Sequence, residues 1–239
     1  MEQKVNGLVI KSVNYGENDK ILTIFTMEKG VICAKIKGVK KAGAKLKFSA
    51  EPFCFAEYVL SVKGNFSTVT GASLHDSFYP LRENIINYYA GAIILEFIKK
   101  FCPENTEFSQ LFLQVISALK DLAYGENKAI FVLVKFVIQA LSAIGYATEL
   151  DKCFACGEQV ERRAFFNFED GAIYCENCAT EKEVEISVNT YYALRDILNG
   201  EVITESKYLI RAFNMLMHYL GVKTGEKISS VDEFLKFIC

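Results

Sequence analysis

Ile21-Leu22-Thr23-Ile24-Phe25-Thr26, Met27-Glu28-Lys29-Gly30 and Val31-Ile32-Cys33-Ala34-Lys35-Ile36-Lys37 read in succession as strand, turn and strand. Both outer runs are rich in β-branched side chains, which fit a pleated, half-buried surface. Gly30 closes the turn because glycine takes a positive φ at little cost. The second run ends in alternating apolar and basic residues, the period of a strand with one wet face. Working outward, Leu8-Val9-Ile10 supplies an earlier strand. Downstream, a loop rich in Lys and Gly spans Gly38 to Ser49, and Phe53–Val62 pairs with Phe66–Leu74 across the turn Lys63-Gly64-Asn65. Five short strands within residues 1–80 predict a small closed barrel, of which the OB-fold is the commonest nucleic-acid-binding version.

After Pro80 the spacing becomes helical. Asn84 to Phe101 carries Ile85, Tyr88, Tyr89, Ala92, Leu95 and Ile98 at intervals of three and four, and Pro103 ends the run. Asn105 or Thr106 is the expected cap of a second helix that buries Phe108, Leu111, Phe112, Val115, Ile116 and Leu119. A third, from Lys128 to Ile144, is apolar nearly all round and belongs at the centre of a bundle; Gly145 stops it. Helices resume at 187–199, 204–221 and 230–238, the last opening with the capping-box sequence Ser230-Val231-Asp232-Glu233. The expected architecture is α+β and multidomain. It comprises an OB-fold barrel over 1–80 and an α-helical domain over 81–239, with a four-cysteine zinc-finger insert at 151–180.

Hydrophobic residues make up 51% and charged residues 23%, enough apolar surface for a folded core rather than disorder. The polar start lacks the apolar region of a signal peptide, and no stretch of 18 residues is free of charge. A cytoplasmic protein, not a membrane protein, is expected. The net charge of −2 is unevenly spread: residues 1–80 hold eleven lysines, no arginine and seven acids (+4), leaving −6 for the rest. Between Lys29 and Ala50 lie seven lysines and no acid, which suggests an anionic partner for the N-terminal part.

Of eight cysteines, Cys33, Cys54 and Cys102 stand alone in apolar surroundings and are expected as buried free thiols, with Cys239 an exposed terminus. The other four form Cys153-Phe-Ala-Cys156-Gly157 and Cys175-Glu-Asn-Cys178, separated by 18 residues. A Cys-x-x-Cys turn lets two thiolates bite one metal. A hairpin from Ala164 to Tyr174, turning at Glu169-Asp170-Gly171, would return the second pair to the first. Two disulfides, a redox pair or a cluster are the alternatives; the spacing favours one structural zinc per chain, with no open position for catalysis.

Lys35, Lys37, Lys40, Lys41, Lys45 and Lys47 are the candidate DNA-binding residues. Lysine delivers a point charge to phosphate without the fork that arginine uses on guanine, which suits sequence-independent backbone binding. A solvated loop with no ligand is the plainer alternative. Tyr15, Phe48, Phe53, Phe55 and Phe66 can stack on bases, although a small barrel needs most large residues inside. Gly38-Val-Lys-Lys-Ala-Gly43-Ala-Lys45 fails as a phosphate-binding P-loop because Ala44 separates glycine from lysine, and no Gly-x-Gly occurs. His75 and His218 have no neighbouring nucleophile pattern and read as structural. No enzyme active site is visible.

Together these residues resemble the bacterial RecO family of recombination mediators. The likeness is carried by Gly7-Leu-Val-Ile-Lys, Tyr15-Gly-Glu-Asn-Asp-Lys-Ile-Leu-Thr-Ile-Phe-Thr, Lys29-Gly30, Lys37-Gly38-Val-Lys-Lys and Glu51-Pro52-Phe53. It continues through Leu95-Glu96-Phe97, Ala143-Ile144-Gly145-Tyr146, Leu150-Asp-Lys-Cys153-Phe-Ala-Cys156-Gly, Phe165-Phe166 and Gly171-Ala-Ile-Tyr-Cys175-Glu-Asn-Cys178. The resemblance implies an OB-fold, a helical domain and a zinc-bound insert. It implies binding of single- and double-stranded DNA and annealing of complementary strands. It also implies work with RecR, contact with the C-terminal tail of single-stranded-DNA-binding protein, and help in loading RecA, hence a place at the nucleoid. Family members often carry arginines and a Ser in the loop after Gly38, where this chain has lysines and Ala44. A zinc-ribbon adaptor that binds RNA or an acidic protein is the alternative function.

Overall fold

A computed structural model of the protein describes residues 2–64 and 66–238; Asn65 of the expected hairpin turn and the terminal Cys239 lie outside them. Five strands, β1 (Glu2–Tyr15), β2 (Asp19–Thr26), β3 (Gly30–Ile36), β4 (Phe55–Lys63) and β5 (Phe66–Asp76), close a barrel in the order β1-β2-β3-β5-β4. This is the OB-fold expected. β1 extends well beyond its apolar run. Its first half pairs with β4 from Glu2 to Leu8, and a bulge between Val9 and Lys11 bends the remainder onto β2. One bent strand thereby serves two neighbours, which is how a small sheet curls shut.

Strand alternation fills the barrel with Val5, Val9, Leu22, Ile24, Ile32, Ala34, Ile36, Ala56, Tyr58, Leu60 and Val69. The same alternation corrects one expectation. Cys54 and Cys102 are buried, but Cys33 is exposed, because it sits between inward Ile32 and Ala34 and must point out.

Helices α1 (Ile85–Phe101), α2 (Ser109–Tyr124) and α6 (Ser230–Ile238) lie in the same compact unit as the barrel, Met1–Tyr124 with Ser230–Cys239. Asn84 caps α1 by accepting the N–H groups of Ile86 and Asn87. Neither Asn105 nor Thr106 caps α2. Asn105 takes a φ of 57° and donates its N–H to the Val31 carbonyl at 3.1 Å, while Glu104 forms a bridge beside Val31. This segment is an added rung on β3, so the helix begins only at Ser109. Gly30 is required here: its φ is 63°, and a Cβ would lie 1.8 Å from the Thr106 carbonyl oxygen. The capping box of α6 is also not formed. Ser230 gives its N–H and hydroxyl to the Glu96 carboxylate of α1, at 2.9 and 2.7 Å, and Glu233 pairs with Lys236 instead.

The second unit is Gly125–Ser229. α3 (Ala129–Ala143) buries eleven of its fifteen residues and packs against α4 (Val188–Leu198) and α5 (Ser206–Thr224), the central place its composition predicts. Between α3 and α4 stands a small sheet of order β7-β6-β8, built from β6 (Ala164–Asn167), β7 (Ala172–Cys175) and β8 (Val184–Ile186). Only the β6–β7 hairpin is visible in the sequence; β8 is three residues long, with Glu185 between Val184 and Ile186. Among the described residues no helix is long and apolar enough to cross a membrane.

Candidate metal centre and nucleic-acid face

The β6–β7 hairpin returns Cys175 to the Cys153 turn, and the four sulfurs of Cys153, Cys156, Cys175 and Cys178 lie within 4.8 Å of one another. Each pair sits on a tight turn. Gly157 donates its N–H to the Cys153 carbonyl at 2.8 Å with a φ of 75°, and the N–H groups of Cys178 and Ala179 both reach the Cys175 carbonyl. Phe154 is stitched to Ile173 by an N–H bond of 2.8 Å, which holds the first turn against β7. Cys153 is buried and its sulfur accepts the Cys175 N–H at 3.3 Å; Cys156 is at the surface.

This donor set fits a metal. Tetrahedral bonds of about 2.3 Å to sulfur give sulfur–sulfur edges of about 3.8 Å, and Cys156 and Cys175 are 3.9 Å apart. A disulfide needs about 2.05 Å, and all four thiols are free. Burial alone would raise the Cys153 thiol, but N–H groups of Cys156, Cys175 and Ala155 outweigh it and bring it to about 6. Hydrogen bonds to Cys175 and Cys156 push Cys178 up to about 12. Thiols this close cannot all ionise without a cation among them.

The module is no free appendage. The hydroxyls of Tyr191 and Tyr192 on α4 donate to the carbonyls of Asp151 at 2.6 Å and Glu161 at 2.9 Å. Phe166 meets Tyr219 edge-on at 5.8 Å, and Phe168 meets His218 at 4.7 Å. Gly171, at φ 72°, fits because a Cβ would stand 2.4 Å from the Tyr219 oxygen. None of these anchors has a sequence motif, since each joins residues tens of positions apart.

All six candidate lysines fall in one continuous stretch, from the end of β3 to the 3-10 turn Lys47–Ala50 before β4. Lys37, Lys40, Lys41, Lys45 and Lys47 are exposed, and among the described residues no carboxylate lies within ion-pair distance of them. Lys35 differs: it pairs with Asp19 at 2.8 Å and lies 4.4 Å over the Tyr15 ring.

The stretch is clamped at both ends. Asp19 accepts the Gly38 N–H at 2.8 Å, and Lys40 donates its N–H to the Asn18 carbonyl at 3.0 Å. The Lys35 ammonium, with the Gly38 N–H, holds the Asp19 carboxyl below the usual carboxylate range. At the far end the buried Tyr58 hydroxyl donates to the Ser49 carbonyl at 2.9 Å, and burial pushes that hydroxyl up. Sequence reasoning missed both clamps. Of the aromatic candidates, Tyr15, Phe48 and Phe66 are exposed, by 51%, 41% and 81%; Phe53 is buried, and Phe55 packs on Phe112 and His75. His75 also meets Asn6 at 3.0 Å, a structural setting like that of His218.

Residues 1–78 match the family model described as Recombination protein O N terminal, and residues 82–230 match Recombination protein O C terminal. A relative named DNA repair protein RecO from Acetivibrio thermocellus is 29% identical over 201 residues, covering 83% of this chain and 80% of its own. Proteins of the same name from Clostridium novyi (26% over 240 residues; 97% and 93%) and Caldicellulosiruptor saccharolyticus (28% over 243 residues; 98% of each) align over nearly the full length.

Proposed function

The chain belongs to the RecO family of DNA repair proteins, and from that premise we propose that it is a non-enzymatic recombination mediator. Its OB-fold domain, residues 1–80, binds single- and double-stranded DNA through Lys35, Lys37, Lys40, Lys41, Lys45 and Lys47 and anneals complementary strands. With RecR it helps load RecA onto DNA coated by single-stranded-DNA-binding protein, whose C-terminal tail it engages. It works in the cytoplasm, at the nucleoid. The observation that carries this reading is the clamped, acid-free lysine loop on the barrel. Ammonium groups there neutralise phosphates, release condensed counterions and lower the repulsion between two strands brought together. Tyr15, Phe48 and Phe66 offer exposed rings for stacking.

Cys153, Cys156, Cys175 and Cys178 hold one Zn(2+) per chain, and its role is structural. Four thiolates suit zinc and fill its tetrahedron, so the ion ties two turns together and takes no substrate. An annealing assay without ATP tests the mediator reading. Parent protein should pair two complementary strands faster than they pair alone, and the K37A/K40A/K41A variant should lose most of that gain. If the variant anneals like the parent, the loop is only a solvated face.

A further inference from the structure

β3 meets β5 only where Ala34–Ile36 face Ser67–Val69; β5 begins at Phe66, so the Gly30 end of β3 runs past it. The edge that β3 leaves free is taken up by Glu104 and Asn105 beside Val31. Between these two partners of β3 opens a cleft of about 460 Å³ at the mouth of the barrel. Ile32, Leu60 and Val62 form its floor, and Gln3, Ser67, Glu104 and Asn105 surround its rim. Gln3 also holds the ammonium of Lys29, which lines the same cleft. The Glu104 carboxylate stands 3.6 Å from the outward sulfur of Cys33.

We propose that this cleft takes one unstacked base of a single strand whose backbone runs along the lysine loop, an inference that rests on the DNA-binding reading above. The apolar floor accepts the face of a heterocycle, and the amides, hydroxyl and carboxylate of the rim can match its donors and acceptors. Glu104 repels phosphate, so the base enters and the backbone stays outside. Cys33 and Lys35 follow one another along the outer face of β3, and Lys37 comes one residue past its end, about 13 Å from Cys33 at about 3.3 Å per residue of extended chain. The lysines therefore begin within a short reach of the cleft. A paired base is held in its duplex stack and cannot enter without being flipped out. The cleft thus gives the barrel a means of preferring single strands, which charge alone does not.

The test measures binding of an oligothymidine strand and a duplex of equal length by fluorescence anisotropy, with S67F to fill the cleft and S67A to leave it open. S67F should weaken single-strand binding about five-fold or more, the worth of one stacked base, and leave duplex binding unchanged; S67A should match the parent. A single 2-aminopurine in the strand should change its emission on saturation with the parent and clearly less with S67F, where only the exposed rings of Tyr15, Phe48 and Phe66 remain to stack on it. Folding of S67F is checked by its melting curve; should it not fold, the smaller S67L takes its place under the same criteria. Single-strand binding by folded S67F equal to the parent's overturns the proposal. So does an equal loss on strand and duplex, or the absence of any emission change with the parent. Failure of the DNA reading itself would look different: K37A/K40A/K41A would then bind both DNAs like the parent.

Discussion

Cys153 is the residue on which the candidate metal module turns, because of the four cysteines it is the buried one and its sulfur accepts the Cys175 N–H. Replacing Cys153 or Cys178 by Ser should release the metal and open residues 151–180 to protease while the barrel stays folded. Elemental analysis and limited proteolysis check this; a metal-replete parent without zinc contradicts the assignment. Gly171 is a second pressure point. Gly171→Ala should cost about 1–2 kcal/mol for the left-handed backbone alone, and more because Tyr219 must move. At about 2–4 °C per kcal/mol for a chain of this size, the melting temperature should fall by at least a few degrees. An unchanged melting temperature would mean that the packing of Tyr219 on the hairpin is not as described.

Between β3 and the 3-10 turn at Lys47 the lysine stretch has no regular structure, yet its ends are fixed by Asp19 and Tyr58. Tyr58→Phe removes the donor to a buried carbonyl, and leaving such a group unpaired costs about 1–3 kcal/mol. Denaturant unfolding should show that loss, and the salt dependence of DNA binding should be unaltered, since no charge changes. A loss of salt dependence would instead tie the clamp directly to phosphate contact. The lysines and cysteines were legible because charge runs and ligand spacing are local patterns, and the apolar runs of Ile21–Ile36 carried the barrel. The clamps were not, because Tyr58 reads as one more core aromatic until its hydroxyl finds Ser49. The capping box of Ser230 and Glu233 misled for the same reason: Glu96, 134 residues away, supplies the carboxylate. β8 and the rung at Glu104 depend on pairing partners that no short window contains.

At the scale of the whole molecule, the charge is sorted: +4 over residues 1–80 and −6 over the rest. A chain with a net charge of −2 can bind a polyanion only if it presents its cations on one face, and in the proposed function the lysine stretch of the barrel is that face. The most direct test of this claim is the slope of log K against log salt for a single strand, with parent and K37A/K40A/K41A. Each phosphate neutralised contributes about 0.7 to the slope, so engagement of three to five lysines gives roughly −2 to −3.5 for the parent. The triple variant should flatten that slope by about 2 and weaken all sequences alike. A variant with the parent's slope and affinity would contradict the account and send the search for the DNA site elsewhere.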